Sequence, residues 1–170
     1  MKKFFLFLTV FTSIFFYGCS NCSTTADIPA VSGFDVNRYL GKWYEIARLP
    51  FYFEKDMSMV TANYFLTPDG KLHVINSGIK NGKPKEIHGY VRNAGAPGTG
   101  ELEVSFFRPF YGKYRIIYLD KDYQVALVTS DCRDKLWILS RTPELPPETL
   151  ADLLFMLNKM KFNTAELIFK

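Results

Sequence analysis

Residues 41–48 read Gly-Lys-Trp-Tyr-Glu-Ile-Ala-Arg, and residues 34–40 immediately before them read Phe-Asp-Val-Asn-Arg-Tyr-Leu. The earlier stretch predicts a short helical turn that ends before Gly41. The later stretch contains aromatic and β-branched side chains and predicts a strand over residues 42–49. A glycine two residues before a tryptophan is common in proteins, so this pattern alone indicates only a strand with one buried ring.

Turn-forming residues divide the rest of the chain into short segments. Glycine, proline, asparagine and aspartate recur about every ten residues, and the segments between them are rich in β-branched and aromatic side chains. We therefore predict strands over residues 42–49, 57–66, 71–79, 85–92, 101–107, 113–119, 123–129 and 135–140. Strands at this spacing are typical of a β-sandwich or an up-and-down barrel.

The predicted strands alternate apolar and polar side chains, so each has one mainly apolar face. In residues 101–107, for example, leucine, valine and phenylalanine alternate with two glutamates and a serine. The interior of an eight-stranded barrel is either filled by side chains or holds one small ligand. After the strands, Pro146 and Pro147 begin a helix with leucines and a methionine on one face. The fold class is therefore all-β with one C-terminal helix.

The whole run of residues 34–48 closely resembles the first signature of the lipocalin family, in particular its bacterial outer-membrane lipoprotein branch, which is apolipoprotein D-like. Residues 136–143 resemble the third signature. Leu119-Asp120 lies where the second signature has Thr-Asp-Tyr, although Lys121 stands in place of the tyrosine. The resemblance covers roughly residues 33–170. It implies an eight-stranded up-and-down antiparallel β-barrel with the C-terminal α-helix packed on the outside.

The N-terminus has the pattern of a lipoprotein signal. Lys2 and Lys3 precede an uncharged apolar stretch over residues 4–17, which is shorter than the roughly 20 residues of a membrane-spanning helix. The stretch ends at Gly18-Cys19, which resembles the bacterial lipobox, and Ser20 after it implies sorting to the outer membrane. An ordinary secretory signal cut slightly later is the alternative. The predicted segments are a signal peptide over residues 1–18, a lipidated tether over 19–33 and a lipocalin domain over 34–170.

The resemblance also assigns structural roles. It implies that Trp43 lies at the closed end of the barrel and that Arg141 packs across its ring, a contact that contributes roughly 0.5–2 kcal/mol. With Cys19 acylated, Cys22 and Cys132 remain as an even pair in an oxidising periplasm. The residues alone leave open whether these two are bonded or free. Apolipoprotein D-like lipocalins tie the N-terminal arm to the region after the second signature, which implies a disulfide here.

Composition and motifs argue against several other functions. The net charge is +4, or about +2 without residues 1–18, and no basic run remains, so we expect no nucleic-acid partner. His73 and His88 are the only histidines, and no cysteine or histidine spacing matches a metal site, so we expect no metal and no cofactor. The glycine-rich residues 95–100 are not followed by a helix and predict a mobile hairpin loop rather than a phosphate loop.

The favoured function is binding, storage or transport of a lipid-like molecule in the barrel. The family is associated with fatty acids and lysophospholipids, so the resemblance implies one of these as the partner, with an acylated N-terminus in the outer membrane. The apolar strand faces predict the cavity wall, which consists of Ala62, Tyr64, Val74, Asn76, Leu102, Val104, Phe106, Tyr114, Ile116 and Trp137.

The aromatic run over residues 106–112 includes Arg108, which is a candidate contact for a phosphate or carboxylate head group. The same run is also a candidate for a homodimer or membrane contact, or it only covers the barrel rim. Two alternative functions remain. A structural envelope protein would have a side-chain-filled barrel, which the small Ala62 and Asn76 disfavour. An enzyme would need a cysteine or an acid pair inside the barrel, and the predicted faces contain neither.

Overall fold

A computed structural model of the protein describes residues 22–170, so the signal peptide and Cys19 lie outside the described residues. In this part of the chain nine strands form one antiparallel sheet. The elements are α1 (Val36–Tyr39), β1 (Gly41–Arg48), β2 (Met57–Leu66), β3 (Leu72–Lys80), β4 (Lys83–Asn93), β5 (Glu101–Phe107), β6 (Phe110–Leu119), β7 (Val125–Thr129), β8 (Leu136–Ser140), α2 (Pro147–Lys159) and β9 (Ile168–Phe169). Short 3-10 turns lie at Tyr52–Glu54 and Thr164–Glu166.

Strand β1 closes the sheet into a barrel because it pairs with both β2 and β8. Trp43 faces Ala62 across the β1–β2 ladder, and Glu45 faces Leu139 across the β1–β8 ladder. The strands from β2 to β8 pair in chain order. The predicted eight-stranded up-and-down barrel is therefore confirmed, and the short β9 is added at the end of β1.

The chain direction defines two ends of the barrel. The closed end contains α1 and the turns after β2, β4 and β6, which span residues 67–71, 94–100 and 120–124. The open end contains the loops after β1, β3, β5 and β7, which span residues 49–56, 81–82, 108–109 and 130–135. On the open side β1 and β2 separate, because their ladder stops at the pair of Tyr44 with Thr61.

Apolar side chains on the two faces of the sheet form two separate cores. Inside the barrel, Trp43 and Ile116 are fully buried. Outside it, Leu153 and Leu157 of α2 pack on the outward-facing Ile138 and its neighbours. The helix therefore covers one outer face of the barrel, as predicted. Neither of the described α-helices is long and apolar enough to cross a membrane.

The N-terminal arm, residues 22–33, differs from the free tether that its small polar residues predict. A disulfide joins Cys22 to Cys132 in the β7–β8 loop, with the Cα atoms 5.5 Å apart. Thr25 is fully buried, and its hydroxyl donates to the backbone oxygen of Ser130 over 2.6 Å. The backbone of the arm also pairs with this loop, since Thr25 N–H donates to Asp131 and Arg133 N–H donates to Ser23. A composition typical of a linker therefore belongs here to a docked segment.

The glycine-rich turn between β4 and β5 also differs from the mobile loop that was predicted. The backbone N–H of Phe34 donates to the oxygen of Gly98 over 2.9 Å, and the N–H of Gly100 donates to the oxygen of Val31 over the same distance. A Cβ atom at Gly100 would lie 2.9 Å from Ile116, so only glycine fits this close approach. The turn is bonded to the N-terminal arm through these contacts.

Candidate ligand-binding barrel

A tryptophan and an arginine seal the closed end. Trp43 is fully buried, and its indole N–H donates to the backbone oxygen of Tyr39 over 2.9 Å. The guanidinium carbon of Arg141 lies 3.9 Å from the centre of the Trp43 ring. The same guanidinium donates to the backbone oxygens of Arg38, Lys42 and Tyr123. These bonds fix the cation over the ring in the position that the resemblance implies.

Tyr123 closes this end. It lies two residues after Lys121, which occupies the position of the tyrosine in the second signature. Tyr123 is buried, accepts a hydrogen bond from the backbone N–H of Asp35 over 2.9 Å, and carries the Arg38 guanidinium 4.0 Å from its ring centre. The carboxylate of Asp120 accepts from the two backbone N–H groups that follow Tyr123. Lys121 is exposed in the turn. The spacing Asp-x-x-Tyr, in place of the signature's Asp-Tyr, is the sequence feature that indicates this tyrosine.

Three tyrosine hydroxyl groups meet inside the barrel near the closed end. The hydroxyl of Tyr114 lies 2.8 Å from that of Tyr39 and 2.8 Å from that of Tyr64. Burial raises the pKa of all three phenols, so they stay neutral and act as hydrogen-bonding groups. Tyr39, Tyr64 and Tyr114 form what we call the tyrosine layer, which fills the interior at this level.

All ten predicted wall residues face the barrel interior. Nine belong to the interior apolar cluster, and Asn76 shares its face because it lies opposite Ala62 in the β2–β3 ladder. Four are buried: Tyr64, Val74, Leu102 and Ile116. The other six are only partly buried: Ala62, Asn76, Val104, Phe106, Tyr114 and Trp137. Inward-facing side chains that still reach solvent indicate unfilled space; their contact with a ligand remains a prediction.

Strand β4 contributes wall residues that the sequence did not indicate. Ile87 lies opposite Asn76 and shares its inward face, yet it is exposed. Gly89 follows on the same face, where a Cβ atom would lie 2.8 Å from Phe106 and 2.9 Å from Val74. The glycine makes room for the phenylalanine ring. Because glycine has no side chain, Gly89 also interrupts the alternation of apolar and polar residues that predicted the inward faces of the other strands.

Arg108 does not point into the barrel. Its guanidinium carbon lies 3.5 Å from the centre of the Tyr90 ring, and Tyr90 alternates with the inward-facing Gly89 and Val91, so it lies on the outer face. The attraction between the cation and the ring holds the side chain there. The structure therefore does not support Arg108 as a head-group contact inside the mouth.

Four charged side chains lie together at the open end. The Arg48 Nε atom is 3.3 Å from Glu45 Oε1 and 3.0 Å from Glu54 Oε2, and the Lys170 Nζ atom is 3.6 Å from Glu45 Oε1. Trp137 donates its indole N–H to Glu54 Oε2 over 3.1 Å. The side chains of Glu45 and Arg48 are only 2% and 3% exposed. We call Glu45, Arg48, Glu54 and Lys170 the mouth cluster.

The mouth cluster contains an acid pair that the predicted strand faces did not show. Burial, and then the nearby charge of Glu54, raise the pKa of Glu45 to about 7. Burial also raises the pKa of Glu54, whereas the hydrogen bond from Trp137 and the charge of Arg48 lower it. Taking a carboxylate out of water disfavours its charged form. Glu45 therefore takes up a proton at a higher pH than an ordinary glutamate does.

Comparisons with known proteins agree with this architecture. A family model described as a lipocalin-like domain matches residues 34–170. The outer membrane lipoprotein Blc of Escherichia coli K12 is 43% identical, over 88% of this chain and 86% of its own length. The Blc lipoprotein of Vibrio cholerae is 38% identical over 99% of this chain and 98% of its own. Apolipoprotein D of Bos taurus is 37% identical over 74% and 70%.

Solved structures share the fold at low identity. Insecticyanin from the tobacco hornworm Manduca sexta superposes with a TM-score of 0.71 at 20% identity, over 88% of this chain and 85% of its own. Lobster apocrustacyanin A1 gives 0.65 at 17% identity, over 84% and 89%.

The bacterial relatives confirm the lipid-anchored outer-membrane location that the N-terminal sequence predicts. Lipocalins in general bind or transport lipids and other small hydrophobic molecules rather than catalyse reactions. The family model covers most of the chain, and the Blc relatives exceed 35% identity over most of it, so this chain belongs to the lipocalin family.

Proposed function

We propose that the barrel holds one fatty acid or lysophospholipid, with its acyl chain between the tyrosine layer and the open end. The observation that carries the proposal is the set of partly buried, inward-facing side chains at this level. Most of them are apolar, and methylene groups need no polar partner.

The energetics suit a carrier that can release its ligand. Each buried methylene contributes about 0.8 kcal/mol, so ten of them offer roughly 8 kcal/mol before costs. Immobilising the ligand removes several kcal/mol of that gain. The expected dissociation constant is therefore about micromolar or somewhat tighter.

The mouth cluster offers a place for the anionic head group. Arg48 and Lys170 are cations, and a carboxylate or phosphate at the open end competes with Glu45 and Glu54 for them. Burial raises the pKa of Glu45, and a protonated Glu45 would leave part of this positive charge available to an anion. Glu54 accepts a hydrogen bond from Trp137, whereas Glu45 Oε1 and Arg48 Nε lie 3.3 Å apart and neither has a hydrogen-bond partner among the described residues. Unpartnered buried polar atoms at the open end support a binding role for the cluster.

Ala62→Trp tests the wall because Ala62 is small, faces inward and lies opposite both Trp43 and Asn76. Asn63→Trp is the matched control, since the neighbouring side chain on the same strand faces outward. Every contact described here lies within residues 22–170, so a chain that starts at Ser20 and lacks the acyl anchor serves for the assay. A fluorescent fatty acid and a fluorescent lysophospholipid are titrated into each protein.

The unsubstituted chain should bind at least one probe at micromolar concentration. Ala62→Trp should weaken binding more than tenfold while the far-ultraviolet circular dichroism is kept, and Asn63→Trp should change it less than twofold. Equal binding by both variants would contradict the wall assignment. Failure of the unsubstituted chain to bind either probe would favour a structural barrel filled by its side chains.

A further inference from the structure

The disulfide places Cys22, the first described residue, at the open end of the barrel. Cys22 is bonded to Cys132, which lies in the β7–β8 loop between Thr129 and Leu136. The predicted acylation site, Cys19, is three residues before Cys22. Three residues of chain span at most about 10 Å. An acyl anchor on Cys19 can therefore be no farther than this from Cys22 at the open rim, and the closed end is on the far side of the barrel from Cys22.

The β5–β6 hairpin extends beyond this attachment point toward the open side. Thr129, at the end of β7, pairs with Arg115, and β6 continues from there to Phe110. Five residues of strand cover about 17 Å, or about 13 Å along the axis of a barrel with typical strand tilt. The hairpin tip thus extends beyond Thr129 by a distance comparable to the length of chain between Cys19 and Cys22. A bilayer that holds the anchor therefore meets the hairpin tip.

The hairpin tip is apolar and exposed. Phe107 and Phe110 form the last pair of the β5–β6 ladder, and they are 64% and 77% exposed. Two phenylalanines side by side at a loop tip cost solubility without contributing to the core. Aromatic side chains at such a position suit the boundary between lipid head groups and acyl chains.

The surrounding charge is basic. Residues 79–86 of the β3–β4 hairpin contain three lysines and one glutamate, and residues 107–113 contain Arg108 and Lys113 and no acid. The turns at the closed end, residues 67–71, 94–100 and 120–124, contain two lysines and three aspartates. Each cation near a negatively charged membrane adds to the attraction. The other two open-end loops, residues 49–56 and 130–135, contain three cations and four acids. The open end therefore keeps a net positive charge, which is complementary to an anionic lipid surface, and the turns of the closed end do not.

From these observations we propose that the open end faces the membrane that carries the anchor, with Phe107 and Phe110 inserted into an anionic lipid surface. The barrel mouth then opens directly onto lipid, and a ligand passes between membrane and barrel without crossing bulk water. The orientation rests on the anchor at Cys19, but insertion of the tip needs neither the anchor nor a lipid inside the barrel, so it is testable with the acyl-free chain and whether or not the proposed ligand binds.

The first experiment measures sedimentation of the acyl-free chain with vesicles of 40% phosphatidylglycerol in phosphatidylcholine. The double variant Phe107→Ser/Phe110→Ser should lower the partition coefficient at least fivefold. The control Leu66→Ser/Phe155→Ser removes two exposed apolar side chains, 41% and 62% exposed, from β2 near the closed end and from the outer surface of α2. It should change partitioning less than twofold. Replacing phosphatidylglycerol by phosphatidylcholine, or adding 0.5 M salt, should also weaken binding.

The second experiment uses the acylated protein in vesicles that contain dibrominated phosphatidylcholine, which quenches tryptophan within the bilayer. After subtraction of the Trp43 and Trp137 signal, Phe110→Trp should be quenched and Phe155→Trp should not. No vesicle binding by the acyl-free chain, equal effects of the two double variants, or equal quenching at positions 110 and 155 would each overturn the proposal. So would a stable dimer in sedimentation equilibrium that Phe107→Ser/Phe110→Ser dissociates, because the tip would then bind a second copy.

Discussion

The two ends of the barrel satisfy their polar groups in opposite ways. At the closed end, Trp43, Arg141 and Tyr123 bond to backbone groups or stack on each other. At the open end, Glu45 and Glu54 share one buried environment with two cations, and Asn76 Oδ1 has no hydrogen-bond partner among the described residues. One end is complete within the protein, whereas the other contains charge and space that a ligand can use.

Because the two ends satisfy their polar groups differently, we expect the closed end to determine stability and the open end to determine binding. The closed end is held by bonds from a guanidinium and an indole to backbone oxygens, so its contribution to stability should vary little with pH near neutrality. An open end that contains buried carboxyl groups changes with pH and with bound anions. Substitutions at the closed end should therefore change the free energy of unfolding, and substitutions at the open end should change binding and its pH dependence.

The largest change in unfolding free energy, and the clearest contrast between the two ends, should come from substituting the two tryptophans. Trp43→Ala removes a fully buried ring and should cost about 3–5 kcal/mol of unfolding free energy. Trp137→Ala removes a half-buried ring and should cost about 1–2 kcal/mol while weakening lipid binding more than Trp43→Ala does. Urea unfolding and ligand titration of both variants give the comparison. Equal losses of stability would show that the two ends do not differ in this way.

The next effect should appear in the pH dependence of stability. The folded-state pKa of Glu45 is raised from 4.5 to about 7, so between these values the folded state binds more protons than the unfolded state. The contribution is present below pH 4.5 and is lost as the pH rises through 7, about 2 kcal/mol between pH 5 and 7.5. Glu45→Gln should remove much of this decline in urea midpoints, whereas Glu101→Gln should keep it. An unchanged decline in Glu45→Gln would assign it to other groups.

The smallest effect should come from the tyrosine layer. Tyr114→Phe leaves the hydroxyls of Tyr39 and Tyr64 without the partner that both contact and should cost about 1–2 kcal/mol. Tyr111→Phe, on the outer part of the same strand, should cost less than about 0.5 kcal/mol. Thermal unfolding of the two variants distinguishes them. A neutral Tyr114→Phe would mean that water replaces the lost hydroxyl.

Strand alternation predicted the barrel and its inner face because the two-residue period holds over the segments that form the wall. Ala62, Val104 and Trp137 face inward on three different strands, as their spacing indicates. The first signature also located Trp43 at the closed end, and the third placed Arg141 over it. These features depend on neighbours along the strand or on a motif, and both are visible in one sequence.

The mouth cluster could not be predicted in the same way. The β1 register shifts between Glu45 and Ala47, so Arg48 faces inward where strict alternation would turn it outward. Glu54 comes from a loop and Lys170 from the C-terminal residues, far apart in sequence. The position of Arg108 was hidden for a related reason, because its guanidinium lies over the ring of Tyr90 on β4, which is distant in sequence.

On the proposed function, the tyrosine layer should also limit the length of chain that the barrel selects. A methyl end that reached Tyr114 would meet hydroxyls that already bond to each other, so further carbons would gain no burial and would project from the mouth. For short chains, we expect affinity to rise with each added methylene. Beyond the length that fills the space, extra carbons would contribute to membrane partitioning instead, and the equilibrium between barrel and bilayer would shift toward the bilayer. We therefore expect chains of intermediate length to be bound in preference to longer ones.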